Sequence, residues 1–286
     1  MANLKNIRSQ IKSVTSIQKV TKAMKMVAAA KLRKSQERME RARPYSNRME
    51  NLISHLLKDV DRSVFALLTV PEKINNYGFL IVTADRGLAG SFNTNIIKKA
   101  EMEINNIGKE NTQLFCIGKK GYEHFKKRNY NIVNYYKDFW SNLRYGQAIT
   151  IGNDIISSFI NNEIDTIKVV YNYFKNTARQ EIIYEQLLPL VFENNDSNLS
   201  SDIIYEPSKI EIVRSLVPKY FNTEIWKYLL ESFASEQAAR MLAMENATEN
   251  AKDMINDLNL EFNKARQTAI TTEMLEIVGG AEALSN

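Results

Sequence analysis

Few residues in this chain are equipped for covalent or metal chemistry. His55 and His124 fall in different segments without ligand-like spacing. The single cysteine, Cys116, excludes an intramolecular disulfide and a thiolate-rich metal site. The apolar run Tyr77–Thr83 is followed by Asp85-Arg86-Gly87-Leu88-Ala89-Gly90, and glycines after a strand present backbone N–H groups that can cradle phosphate. This turn matches neither G-x-G-x-x-G nor G-x-x-x-x-G-K-[ST], and Gly118-Lys119-Lys120 lacks the upstream glycine because position 113 is Gln. Both read as tight turns. Asp85 with Arg86 has no Ser, Cys or His constellation around it. No catalytic, cofactor-binding or metal-ligating residue is therefore assigned.

The other chemically active groups are cations. The net charge is +5, but residues 1–58 carry 14 Lys/Arg against 3 Asp/Glu, and the remainder 24 against 30. Such asymmetry calls for an acidic partner. Lys19, Lys22, Lys25, Lys31, Arg33 and Lys34 are concentrated in one stretch with too few acidic residues for mixed i,i+4 pairing. A solvated basic helix is the plainest reading. DNA binding lacks a fold motif and aromatic interleaving, and a membrane-surface helix would carry aromatic anchors. A protein partner is preferred. No apolar run reaches the ~18 residues of a membrane span, and the N-terminus lacks the apolar core of a signal peptide.

These cations must be positioned by a long helix. Leu4, Ile7, Ile11, Val14, Ile17, Val20, Met24 and Val27 recur at spacings of three and four, predicting a helix from about Leu4 to Arg43, or to Lys58 if Pro44 only kinks it. The step Val14–Ile17–Val20 compresses the alternation and is expected to change the coil locally. With Gly 10 and Pro 5 in 286 residues, turns are scarce. Strand, glycine turn and helix alternate in the middle: strands at Tyr77–Thr83 and Gln113–Ile117, a helix over Gln147–Phe159, strands at Thr166–Phe174 and Glu181–Pro189, and a polar loop at Asn194–Ser201. After Pro207 and Pro218 a second long helix is predicted from about Asn222 to Val278. Met241, Met244, Thr248, Ala251, Ile255, Leu258, Phe262, Ala265, Ala269 and Thr272 keep a strict 3-4 alternation along it. Each helix could pair with its own copy, but their opposed charge favours an intramolecular antiparallel pair. A large side chain at Ala265 or Thr272 should then strain the seam. The expected fold is an α/β domain (75–207) inserted between N- and C-terminal helices (1–58 and 209–286) that form an antiparallel coiled coil.

Both ends resemble the gamma subunit of F-type ATP synthases. The N-terminal IQKVTKAMKMVAAAKLRKSQ and the C-terminal NKARQTAITTEMLEIVGGAEAL carry the likeness, the latter through Ile270, Thr271, Glu273, Glu276, Gly280 and Ala281. TADRGLAGSFN resembles the family's Asp-Arg-Gly-Leu-Cys-Gly segment, with Ala89 in place of the cysteine. The resemblance covers essentially the whole chain. It implies a non-catalytic rotor whose paired helices turn inside a ring of three alpha and three beta subunits, with the α/β domain beside epsilon and the membrane c-ring; contact with delta is left open. Mg-ATP and ADP would bind on the partner subunits, and no nucleic acid is implied. By motif match, Met24, Arg240, Gln267, Thr271 and Glu273 would lie at coupling contacts, and the basic stretch Lys19–Lys34 would face the acidic lever of beta. One cysteine cannot form the chloroplast regulatory pair, and no presequence precedes Met1. The expected setting is peripheral, on the cytoplasmic face of a bacterial inner membrane. A basic coiled-coil protein binding nucleic acid or anionic lipid is the main alternative, and a nucleotide-dependent enzyme using Asp85–Gly90 a further one.

Overall fold

The computed structural model describes residues 2–192 and 205–285. The chain divides into two compact units, Met1–Ala28 with Met241–Asn286, and Ala29–Arg240. The expected terminal segments 1–58 and 209–286 thus each contribute to both units, while the expected loop over 194–201 lies outside the described residues. Helix α1 spans Ala2–Leu56 with Pro44 inside it, and α5 spans Lys209–Ser285 with Pro218 inside it. Neither proline ends its helix, so α5 begins well before the expected Asn222. Loss of one backbone donor is outweighed by the long buried faces on either side.

The Ala29–Arg240 unit is built on a five-stranded sheet of order β3-β2-β1-β4-β5. Its strands are β1 (Tyr77–Val82), β2 (Thr112–Ile117), β3 (Ile132–Tyr136), β4 (Thr166–Phe174) and β5 (Gln180–Leu188). The first four run parallel and β5 is an antiparallel edge. Helices α2 (Phe92–Ile107), α3 (Lys119–Lys126) and α4 (Tyr145–Ile160) make the crossovers. β3 was not expected from the sequence: it is short, and Asn134 interrupts its apolar residues.

The unbroken apolar runs of β1 and β2 follow from burial on both faces. Leu80, Val82, Phe115 and Ile117 enter a core with Ile53, Ile151 and Phe221, whereas Phe79, Ile81, Leu114 and Cys116 enter a second core with Ile96, Ile104 and Phe125. Burial pushes the Cys116 thiol up to about 12, leaving it unreactive at neutral pH. Helix α4 comes so close to α5 that a Cβ at Gly152 would sit 1.8 Å from the Asn222 side-chain oxygen.

In the other unit the terminal helices pair antiparallel, as expected. Thr21 Oγ1 lies 2.8 Å from Thr248 Oγ1, and Lys25 is paired with Glu245. On α5 the seam is the predicted one: Met244, Thr248, Ala251, Ile255, Leu258, Phe262, Ala265 and Ala269 are buried or half-buried. It ends there, because Thr272 is exposed. On α1 the seam is Leu4, Ile7, Ile11, Val14, Gln18, Thr21, Lys25 and Ala28. Ile17 and Val20 are 54% and 58% exposed, so the expected compression is absent. Strict 3-4 spacing keeps one face toward the partner helix, and two of the polar residues it selects find partners: Thr21 also reaches the Gln18 carbonyl, and Lys25 has Glu245.

Ala251, 4% exposed, is the tightest described position on this stretch of α5. Ala251→Leu should destabilise the chain by about 1–3 kcal/mol through overpacking, whereas Thr272→Arg should stay within about 0.5 kcal/mol of the parent. Thermal unfolding of both full-length variants checks this, and equal midpoints would place the seam elsewhere.

Candidate functional site

The Asp85–Gly90 turn and its neighbours sit at the carboxyl ends of the parallel strands, where sheets of this kind bind ligands. Here the amides that open α3 are already engaged. The Lys119 N–H donates to Asp85 Oδ1 at 3.0 Å, the Lys120 N–H to the Ala84 carbonyl at 3.1 Å, and the Gly121 N–H to Thr83 Oγ1 at 2.9 Å. These are the amides at the start of α3 that would face a phosphate. Gly118 is required because its φ is +86° and a Cβ there would lie 2.1 Å from the Thr83 carbonyl oxygen. Trp140 Nε1 donates to that same carbonyl at 3.0 Å. Partial burial raises the Asp85 carboxyl above its ordinary value, and its hydrogen bond from Lys119 opposes the rise.

Connections reverse direction between β1 and β4, so the ligand crevice of such a sheet would open there. β4 pairs with β1 as far as Val170. Beyond it, α5 takes over. The Asn172 N–H donates to Ser232 Oγ at 3.3 Å, Ser235 Oγ donates to the Asn172 carbonyl at 3.2 Å, and the Phe174 N–H donates to Glu231 Oε2 at 3.1 Å. Arg43 of α1 closes the arrangement, with Nη2 donating to Glu231 Oε1 at 2.7 Å. The Glu231 side chain is fully buried, and desolvation raises its carboxyl above the ordinary range despite Arg43. The crevice is filled by the protein's own helix. Among the described residues, no group of three or more His, Cys, Asp or Glu is arranged to hold a metal ion.

The residues expected to contact partners fall into separate groups. Lys19 and Lys22 are exposed, and with half-buried Lys25 they line a groove of about 520 Å³ that also includes Glu245 and Lys252. Met24 is half-buried beside the seam. Gln267, Thr271 and Glu273 are exposed on α5, where the Thr271 hydroxyl donates to the Gln267 carbonyl at 2.9 Å. In the Ala29–Arg240 unit, Lys31 and Lys34 border a cavity of about 170 Å³ with Arg38, Trp140 and Phe233, and exposed Arg33 lies 3.7 Å from Glu37. Arg240 points inward: it pairs with Glu236 at 2.6 Å and donates to the Gly87 carbonyl at 3.1 Å.

Sequence reasoning missed the apolar surface that accompanies these cations. Ile17, Val20, Met26 and Val27 on α1 are exposed, and from Ile270 to Ala281 every side chain on α5 is exposed, including Met274, Leu275, Ile277 and Val278. Contiguous exposed apolar residues mark an interaction surface. The signal lay in the spacing: continuing 3-4 steps from Val14 leads to Gln18 and Thr21, which leaves Ile17 and Val20 outside. Arg43, Glu231 and Glu236 were missed because isolated charges in a helix announce no buried partner.

Residues 3–284 match the family model described as ATP synthase. The chain is 46% identical over 291 residues to the ATP synthase gamma chain of Prosthecochloris aestuarii, covering 99% of both. It is 46% identical over 290 residues to that of Chlorobaculum tepidum, again covering 99% of both. Among solved structures, a chain of the Euglena gracilis mitochondrial ATP synthase, OSCP/F1/c-ring, aligns with a TM-score of 0.70 at 20% identity, over 99% of this chain and 95% of that one. A chain of the Tetrahymena thermophila mitochondrial ATP synthase central stalk/c-ring aligns with a TM-score of 0.61 at 24% identity, over 80% and 99%. At these identities the structures share the fold.

Two outcomes follow from the filled crevice. Calorimetry of the full chain with Mg-ATP should show no micromolar binding, and binding that depends on Asp85–Gly90 would overturn this reading of the turn. Arg43→Leu should destabilise by about 3–5 kcal/mol near neutrality, because it strands the buried Glu231 carboxylate. A carboxyl whose folded pKa is raised contributes stability below its unfolded pKa and loses it as pH rises through the folded value. Removing Arg43 lifts the Glu231 pKa further, so the penalty should shrink as pH falls toward about 4. Urea unfolding at both pH values measures it, and a pH-independent penalty would rule the carboxylate out.

Proposed function

Because the chain belongs to the ATP synthase gamma family, we infer that it is the central-stalk rotor subunit of the F1 sector, turning within a ring of three alpha and three beta subunits. The observation that carries this reading is the surface of the terminal helices. They satisfy each other along one seam and leave an apolar and cationic exterior, with α5 wholly exposed from Ile270 to Ala281. A helix end of that composition is stable in water only when another protein covers it.

The subunit itself carries no catalytic site. Mg-ATP and ADP bind on the alpha and beta subunits, and rotation of the shaft forces the beta subunits through their conformational cycle. The filled crevice at β1 and β4 supports a chain that transmits force and leaves nucleotide chemistry to its partners. Lys19, Lys22, Lys25, Lys31, Arg33 and Lys34 face acidic lever segments of beta, with Met24, Gln267, Thr271 and Glu273 beside the same surfaces. Arg240 acts at one remove, through the loop it holds. The sheet domain meets epsilon and the c-ring, and proton flow drives the rotation. No described helix is long and apolar enough to cross a membrane, which supports peripheral attachment through the complex, on the cytoplasmic face of a bacterial inner membrane.

Purification through a tag on this chain should recover alpha and beta subunits in stoichiometric amounts together with epsilon and c. Recovery without them, with retention on DNA or anionic liposomes at physiological salt, would overturn the assignment. Within that complex, Lys19→Glu combined with Lys22→Glu should lower the number of protons pumped per ATP hydrolysed, since reversed charges repel acidic levers. Proton uptake and hydrolysis measured together in membrane vesicles give the ratio, and an unchanged ratio would remove these lysines from the coupling surface.

A further inference from the structure

Leu88 is 65% exposed and has φ of +60°. A bulky non-glycine residue in the left-handed region is strained, and such strain persists only where surrounding contacts impose it. The leucine side chain also gains no burial there, so the turn itself must be held. On one side Asn93 Nδ2 reaches the Arg86 carbonyl only at 3.4 Å. The firmer contact comes from α5, where Arg240 donates to the Gly87 carbonyl at 3.1 Å. Arg240 is in turn fixed by Glu236 at 2.6 Å, with the two side chains 12% and 6% exposed. The other carboxylate oxygen, Glu236 Oε2, is buried without a hydrogen-bond partner. A buried carboxylate with one oxygen unsatisfied is poorly stabilised as an anion, and a proton on that oxygen removes the charge that orients the guanidinium.

We propose that Glu236 and Arg240 form a releasable latch that holds the Asp85–Gly90 turn in its strained form with Leu88 outward, and that loss of the Glu236 charge opens it. With Glu236 neutral, Arg240 is free to turn toward water, the Gly87 carbonyl loses its donor, and Leu88 relaxes to negative φ. The charged groups facing Glu236 are Arg240 on its own helix, Asp85 on the turn and Lys31 on α1. Asp85 in turn faces Asp138 and Arg86 and accepts from the Lys119 amide. Burial is the largest influence on Glu236 and Asp85 adds to it, while Arg240 and Lys31 oppose; the carboxyl is raised above its ordinary value. The direction follows: the latch is closed at higher pH and opens as pH falls through that raised value.

Amide hydrogen exchange on the full chain tests this without requiring the ring, so its outcome is independent of the rotor assignment. Protection factors at Ala84, Phe92 and Lys119, whose N–H groups donate to Asn93 Oδ1, the Ala89 carbonyl and Asp85 Oδ1 around the turn, should fall about tenfold or more in Glu236→Gln at neutral pH, while those of Phe79–Val82 in β1 hold. Parent protection should decline toward the variant's as pH is lowered from neutrality, and the variant should be flat. Leu88→Gly in the Glu236→Gln background should restore protection, because the strain that opens the turn is gone. Arg240→Lys, which cannot span both acceptors in the same fork, should match Glu236→Gln and serves if that variant does not fold. Equal protection in parent and Glu236→Gln, or loss spread equally through β1, would overturn the latch.

Discussion

Two helices from opposite ends of the sequence must keep one face toward each other, and a 3-4 spacing of small and apolar side chains is how α1 and α5 do it. Along α1 the buried or half-buried positions run Leu4, Ile7, Ile11, Val14, Gln18, Thr21, Lys25, Ala28, Leu32, Ser35, Met39, Ala42, Ser46, Met49 and Ile53 without a break in step. This geometric demand overrides residue type. Gln18, Thr21 and Lys25 occupy seam positions although they are polar, while Ile17 and Val20 lie outside although they are apolar. Each buried polar group then needs a partner, since an unpaired one is costly. Thr21 meets Thr248, Lys25 meets Glu245, Ser46 meets Glu224 and Arg43 meets Glu231. Such pairs add less net stability than an apolar contact of the same size, yet they penalise any shift that would break them.

The same helix explains what became of an α/β sheet whose strand order is that of a ligand-binding fold. A sheet of this order offers a crevice where its connections diverge, and the sequence supplies glycine turns at the right places. Ser232, Ser235 and Glu231 of α5 satisfy the free end of β4, and the amides at the start of α3 are satisfied by Thr83, Ala84 and Asp85. These amides are committed to holding α3 against the end of β1 and its turn. The sheet domain therefore acts as an anchor for the helices packed on it.

Much of this was legible in the sequence because it rests on periodicity. The strands at Tyr77, Gln113, Thr166 and Glu181, the α5 seam and the antiparallel pairing all follow from spacing and charge. What failed did so for identifiable reasons. Weighting apolar identity above spacing put Ile17 and Val20 in the seam. Treating Pro218 as a boundary shortened α5, although a single missing donor does not stop a helix with buried residues on both sides. β3 alternates too weakly around Asn134 to stand out. The glycine turns match no phosphate motif, but that α5 packs where their crevice would open could not be read, because hydrogen bonds such as Ser235 to Asn172 join residues 63 positions apart with no local signature.

A rotating shaft faces a constraint opposite to that of an ordinary docking surface. Binding one stator position much more tightly than the others would create a well in which rotation stops, since each stator position is favoured only by differential affinity. Surface cations held by long, flexible side chains suit this, because exposed ion pairs are each worth only ~0.2–1 kcal/mol and can be exchanged between successive acidic partners. Lys25 differs from exposed Lys19 and Lys22 in being half-buried and paired with Glu245, which tempers its attraction for an outside acid without removing it. The exposed apolar end of α5 suits the same constraint: hydrophobic contact is non-directional and scales with buried area, so a surface of Met274, Leu275, Ile277 and Val278 turning inside an apolar sleeve would be held at every angle and preferred at none.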